Sequence, residues 1–306
     1  MRAQRGLAAI TAILIVAVAA SAATLMLAQQ SAMLDQTMLV ATRAQADLYA
    51  RAGLDWARGI LIEDARTAGT IDTLEEGWAK PIAGLPVERA IVAGAIADEQ
   101  GKFNLNNLLK GTQKSPEDME IFKRLLESLA LDPGLRDAVL DWIDPDADLA
   151  STSGAEDAYY LSLRRPYRAA NQPMVQVEEL YRVRGFDAAT VAKLRPHVTA
   201  LPGRTSVNVN TAGATVLAAL LPEIAKDRIA RFIIDRRTRP LATKQEIVQW
   251  AKEAPPGAVN DGLDVKSAFF SVRIQVAQDD VELATDALVQ RLPNGAANVV
   301  WSRPRY

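Results

Sequence analysis

The sequence contains no cysteine. Thiol catalysis, disulfides and cysteine metal sites are therefore excluded, and the redox compartment is left open. There is one histidine, His197, next to Pro196; a lone histidine is read as structural. No serine or lysine sits in a nucleophile motif and no glycine-rich phosphate loop is present, so an enzyme is not expected. A formal net charge of −2 over 306 residues gives no overall pull toward nucleic acid. Proline is missing from Leu7 to Lys80, and no charge occurs between Arg5 and Asp35. A long uninterrupted helix is the simplest structure that both absences allow.

The uncharged stretch is apolar from Leu7 to Ala28, 22 residues. About 20 suffice to span a bilayer, whereas the apolar part of an export signal has about 7–15. A retained anchor is the better fit by length, although Ala20-Ser21-Ala22 offers an alternative cleavage site that would release a soluble protein. Arg2 and Arg5 make the preceding leader positive, which keeps it cytoplasmic and sends the rest outward. Gly6 sits at the boundary of leader and apolar run. The segment resembles a type IV prepilin leader, which implies cleavage between Gly6 and Leu7 by a prepilin peptidase and N-methylation of Leu7. Two positions depart from the usual pattern. Leu7 stands where phenylalanine or methionine is common, and Thr11 occupies the fifth mature position, where most pilins carry glutamate.

Beyond the anchor, Tyr49, Ala52, Gly53, Trp56 and Ile60 recur at helical spacing. One helix is predicted from Leu7 to about Ala65, about 85 Å long at 1.5 Å per residue, with a break near Gln29–Ser31 as the alternative. "PVERAIVAGAIADEQGKFNLN" reads as one strand or as a hairpin turning near Gly94. From Ser115, a helix N-cap followed by Pro116, the pattern is helical to about Lys252. Strand patterns return in "SAFFSVRIQVA", "ELATDALVQRL" and "ANVVWSR". Strand signals that flank a helical block imply an α+β chain with a helical domain inserted in a sheet domain. The expected divisions are 1–6 leader, 7–28 transmembrane, 29–110 first part of the sheet domain, 111–262 helical insert and 263–306 returning strands.

"DEQGKFNLNNL", "GAEDAYYLSLRRPYRAANQP" and "VNVNTA", in this order behind a prepilin-type leader, resemble the minor pseudopilin K family of type II secretion. The resemblance covers nearly the whole chain and extends to the missing glutamate at Thr11. It implies a long transmembrane helix packed on a pilin-like antiparallel sheet, with a large all-helical insert of helix-hairpin-helix or SAM-like character. It implies a single-pass protein of the bacterial inner membrane with a cytoplasmic N-terminus and a periplasmic globular part. The expected role is capping the pseudopilus tip in protein export, with minor pseudopilins I and J as partners, then H and the major pseudopilin G. A bare carboxylate in hydrocarbon is costly unless paired. A subunit with none above it has no N-terminal amine to pair with, which gives Thr11 its rationale.

The loop "DWIDPDADLASTSGAEDAYY" offers Asp144, Asp146, Asp148, Glu156 and Asp157. The first three have the spacing of an EF-hand, but Leu149 and Ala155 hold its glycine and final-ligand positions, so the loop is not one. A solvated acidic loop is the plain alternative. The mutual repulsion of five carboxylates, and the calcium binding that the family resemblance implies, make these residues candidate ligands for one or two Ca²⁺ ions, with Asn171 as a further oxygen donor. The segment from Val207 to Val248 also resembles helix-hairpin-helix modules, which suggests a membrane-tethered DNA-binding protein for DNA uptake as the alternative function. Between Ile224 and Lys252 there are eight Lys/Arg and three Asp/Glu, an excess of 8 − 3 = +5. Against it, Glu223 and Ala225 stand where the hairpin glycines that cradle phosphate are expected, so nucleic acid is not the expected partner.

Overall fold

The computed structural model describes residues 3–67, 69–251 and 262–305, with the side chains of residues 3–8 excepted. Helix α1 (Ala3–Thr67) is one unbroken rod of 65 residues, about 98 Å long. It does not break at Gln29–Ser31, because residues 7–52 contain neither glycine nor proline and are rich in alanine. Along the exposed part of α1, the Ser21, Thr24 and Thr37 hydroxyls donate to the carbonyls of Ala17, Ala20 and Met33 at 2.7–2.8 Å. These polar groups are thereby satisfied by the helix itself.

The second half of α1 docks. Ala46, Ala50, Ala57 and Leu61 are buried along one stripe against a sheet. After the 3₁₀ turn Gly77–Ala79, whose Trp78 meets Phe270 edge-on at 5.2 Å, come β1 (Ile82–Val87) and β2 (Ala90–Asp98). They form a hairpin whose turn is Glu88-Arg89, with Glu88 at φ +52°. The turn expected at Gly94 is not there. Gly94 lies inside β2, opposite Ile82, and a Cβ on it would stand 3.3 Å from Ile274 Cδ1. Gly53 of α1 approaches the same side chain, at 3.0 Å from Cγ2. Both glycines thus let the backbone come close to Ile274, and neither makes a turn.

After β2 the chain leaves the sheet. Along this excursion lie the short strands β3 (Phe103–Asn104), β4 (Leu109–Lys110) and β5 (Gln113–Lys114). Helices α2 (Pro116–Ser128), α3 (Leu135–Ile143), α4 (Asp157–Leu161) and α5 (Ala188–Leu194) follow. Then come β6 (Val198–Thr199), β7 (Val207–Asn208), α6 (Ala214–Leu220), α7 (Lys226–Asp235), α8 (Lys244–Trp250) and β8 (Leu263–Asp264). The expected helix at "MVQVEELYRVRG" is a 3₁₀ helix, Val177–Arg182, closed by a Gln176/Glu179 capping box. The proposed end of the helical block near Lys252 falls among residues 252–261, outside those described. A separate core fills this part, with Phe103 stacked on Phe122 at 5.7 Å and Leu125, Leu126, Leu140 and Ile143 fully buried.

The chain re-enters the sheet through β9 (Phe269–Gln278), β10 (Val281–Arg291) and β11 (Ala297–Arg305). The five-stranded order is β1-β2-β9-β10-β11, antiparallel throughout. β2 and β9, the strands on either side of the excursion, are direct neighbours. Polar groups stitch the junction. Asp98 at the end of β2 accepts hydrogen bonds from Ser267 Oγ (2.6 Å), Thr211 Oγ1 and Asn208 Nδ2. Burial pushes its carboxyl up to about 6, against the pull of those donors. Arg291 pairs with Asp64 of α1 at 2.8 Å and with Asp72.

Candidate functional site

Three buried carboxylates converge where α3 ends. Asp141 is on the last turn of α3, Asp144 caps it, and Glu156 precedes α4. Asp141 and Asp144 are fully buried and Glu156 nearly so. One oxygen of each lies within 4.8 Å of the others. Asp141 Oδ1 accepts from the Ala150 amide at 2.9 Å, while its Oδ2 and all four oxygens of Asp144 and Glu156 are buried without a hydrogen-bond partner among the described residues. Lys114 Nζ stands 3.6 Å from Asp144 Oδ2 and is itself half-exposed. A Cβ at Gly154 would fall 2.0 Å from Asp141 Oδ2. The site is therefore closed on one side by bare backbone, which Arg184 holds by donating to the Gly154 carbonyl at 2.7 Å.

The electrostatics follow from this crowding. Burial raises the Asp141 carboxyl above its ordinary range. Burial and then Asp146 carry Asp144 up to about 6, and burial followed by Asp141 and Asp144 carries Glu156 up to about 7. Buried carboxylate oxygens left without donors are costly unless a cation meets them. Ca²⁺ takes six to eight oxygens. Three converging carboxylates, five of whose six oxygens lack a hydrogen-bond donor among the described residues, fit such an ion. Zinc's nitrogen and sulfur ligands are not offered here.

The five acidic residues expected from the loop are placed differently from one another. Asp144 and Glu156 face the cluster. Asp146 and Asp148 are exposed, with Asp146 Oδ1 accepting from the Asp148 amide. Asp157 accepts from the Ala169 amide and pairs with Arg168 at 3.3 Å. Asn171, at φ +48°, donates to the Asp146 carbonyl while its Oδ1 is buried and unpartnered. Asp141 was not among the sequence candidates. Its signal was the spacing of Asp141 and Asp144, one helical turn apart. A second acidic group, Asp64, Asp72 and Glu76, is already engaged by Arg291 and the Trp78 indole.

The processing residues lie in the first turns of α1. Gly6 and Leu7 are helical, and Thr11 is exposed among Ile10, Ile13 and Leu14. Among the described residues α1 is the one helix long and apolar enough to cross a membrane, with a mean hydropathy of 2.4 over its best stretch and none of that stretch buried. His197 is partly shielded, which lowers its pKa, and its carbonyl accepts from the Phe103 amide beside the β3–β6 pair. In the helix-hairpin-helix segment, Arg236 is buried and donates to the Val209 and Ala212 carbonyls. Arg231 pairs with Asp227, Arg237 with Glu75 and Lys244 with Asp264. Arg236 thus serves the fold, while the other three cations form exposed or half-exposed ion pairs.

The family model described as "Type II secretion system (T2SS), protein K" matches in two parts, residues 101–203 and 207–273. The type II secretion system protein K of Pseudomonas aeruginosa is 33% identical, covering 98% of this chain and 92% of the relative. That of Aeromonas hydrophila is 31% identical, covering 95% and 94%. Among solved structures, a chain in the crystal structure of the GspK-GspI-GspJ complex from the enterotoxigenic Escherichia coli type 2 secretion system superposes with a TM-score of 0.80. It is 24% identical, covering 89% of this chain and 99% of that one, a likeness of fold.

Proposed function

The chain belongs to the type II secretion system protein K family, and from that premise we propose that it is the minor pseudopilin capping the tip of the pseudopilus in protein export. The observation that carries the reading is α1. Its residues 9–28 are uncharged, mostly apolar and exposed on every side, while its second half is clamped to a sheet through Ala46, Ala50, Ala57 and Leu61. The 22 apolar residues from Leu7 to Ala28 span about 33 Å, enough for the ~30 Å hydrocarbon layer. The subunit waits in the bacterial inner membrane with its N-terminus cytoplasmic and its globular part periplasmic. A prepilin peptidase removes residues 1–6, and Leu7 becomes the methylated N-terminus. Neighbouring subunits then cover the apolar half of α1. Pseudopilins I and J are the proposed partners, supported by the complex in which the Escherichia coli relative was solved, with H and G below them.

Thr11 supports the terminal position, because a glutamate there has no amine to meet when nothing sits above it. Immunogold labelling of assembled filaments tests this. The wild type is expected at one end only, and Thr11→Glu is expected to permit incorporation along the shaft. Wild-type label along the shaft overturns the reading. Mass spectrometry of the mature protein is expected to give a methylated start at Leu7.

The buried cluster of Asp141, Asp144 and Glu156 holds a Ca²⁺ ion, with Asn171 and the exposed Asp146 at its border. Supporting this are five buried carboxylate oxygens without donors among the described residues. The ion supplies fixed positive charge, not chemistry; it ties the end of α3 to the start of α4 across the acidic loop. Calorimetric titration of the full chain with Ca²⁺ is expected to show saturable binding, lost in Asp141→Asn. No heat and no thermal shift would remove the site.

A further inference from the structure

α1 covers one face of the five-stranded sheet. On the opposite face, the sheet and the helical part enclose a cleft of about 300 Å³, at the lower end of ligand-site sizes. The sheet wall carries a cross-strand row, Ala95-Arg273-Asp286-Arg303, contributed by β2, β9, β10 and β11. The facing wall carries Val175, Glu178 and Arg195.

Two carboxylates here are each shared by two arginines. Glu178 pairs with Arg195 at 2.6 Å and with Arg303 at 3.3 Å. Asp286 pairs with Arg273 at 2.9 Å and with Arg305, beside the cleft, at 3.7 Å. Lys102 and Glu99 neutralise one another. Four guanidiniums against two carboxylates leave an excess of 4 − 2 = +2, on a chain whose net charge is −2. All four arginine side chains are 36–50% exposed. Each guanidinium has five N–H donors in a fork that suits carboxylates, so two shared carboxylates leave donors unused. The floor is small and apolar, with Ala95, Ala97 and Leu288, and Val175 is exposed on the rim.

Excess guanidinium charge above a narrow apolar floor matches a chain that alternates carboxylates with small apolar side chains. We propose that this cleft binds an extended acidic peptide segment of another protein. The charge imbalance between its walls selects the ligand, and the apolar floor takes the intervening side chains. This reading does not depend on the calcium centre or on Thr11.

The test uses the full chain in phosphatidylcholine nanodiscs and a fluorescent peptide alternating glutamate and valine, read by anisotropy. A glutamine-for-glutamate peptide is the control. The acidic peptide is expected to bind about tenfold or more tightly than the control, and to weaken as salt rises from about 0.05 to 0.5 M. Arg273→Gln with Arg303→Gln is expected to cut affinity about tenfold. Glu178→Gln is expected to increase affinity severalfold, because it frees Arg195 and Arg303; a misfolded protein would not bind more tightly. Equal binding of the two peptides, no binding, or unchanged or weaker binding by Glu178→Gln each overturns the proposal.

Discussion

Neutralising the acidic cluster is expected to stabilise the metal-free protein and to abolish its response to calcium. The perturbation is Asp144→Asn with Glu156→Gln. In the folded chain Asp144 titrates near 6 and Glu156 near 7, both raised first by burial, against ordinary values near 3.9 and 4.3. A folded carboxyl raised above its unfolded value is most compatible with the fold when protonated. The contribution of these two groups to the stability of the metal-free protein is therefore fully present below about pH 4, lost as pH rises through 6 to 7, and level above. At about 1.4 kcal/mol per pKa unit, ionisation costs about 3 kcal/mol at Asp144 and about 4 kcal/mol at Glu156; because the two are coupled, the sum is an upper bound of about 7 kcal/mol. Calcium stabilises the folded protein by about 2.7 kcal/mol at a hundredfold excess over Kd, which offsets part of that cost. For a protein of this size, 1 kcal/mol moves Tm by about 1.5–2 °C. Differential scanning calorimetry at pH 5 and 7.5, with EGTA or with calcium, resolves such shifts. At pH 7.5 the double variant is expected to melt several degrees above the wild type in EGTA and to ignore calcium. A variant that melts lower in EGTA, or that still responds to calcium, refutes the reasoning.

Other perturbations probe the frame. Gly53→Leu places a side chain where even a Cβ is 3.0 Å from Ile274, so thermal unfolding should show a loss of about 1–3 kcal/mol, partly restored by Ile274→Ala. Arg291→Met leaves Asp64 and Asp72 without their shared cation; chemical denaturation should report a loss of about 3–5 kcal/mol, smaller at acid pH, where the orphaned carboxyls protonate. Asp98, raised to about 6 by burial, makes the junction less stable as pH climbs from about 4 to 6. Asp98→Asn should flatten that part of the stability profile, and amide exchange at Asn208 and Ser267 reports it directly.

Much of the frame was legible in the chain itself. The absence of proline, and of charge from Gly6 to Leu34, pointed to α1, and alternation in "SVRIQV" announced β9 because one side of that strand faces α1. The hairpin turn was harder to place. Gly94 looked like a turn residue, yet its lack of a side chain answers Ile274, and the turn fell to Glu88, a residue with no turn signature. The two-residue strands β3 to β8 are too short to show any period. In the acidic loop, linear spacing drew attention to Asp146 and Asp148, both exposed. The converging oxygens come from Asp141, one helical turn before Asp144, and from Glu156 at the far end of the loop. Asp141 would pass for a solvated helix residue, but α3 is buried on all sides, with Ala138, Val139, Leu140, Trp142 and Ile143 each nearly inaccessible. Only tertiary packing reveals that.

Since β2 and β9 lie side by side, everything between them departs and comes home through one doorway, about 4.8 Å wide. Beyond that doorway, side-chain contacts such as Arg303 to Glu178 and Thr211 to Asp98 hold the passenger to the sheet. A different folded unit with equally close ends could be carried there in the same register, so what the head recognises is free to change while the rod that carries it stays the same.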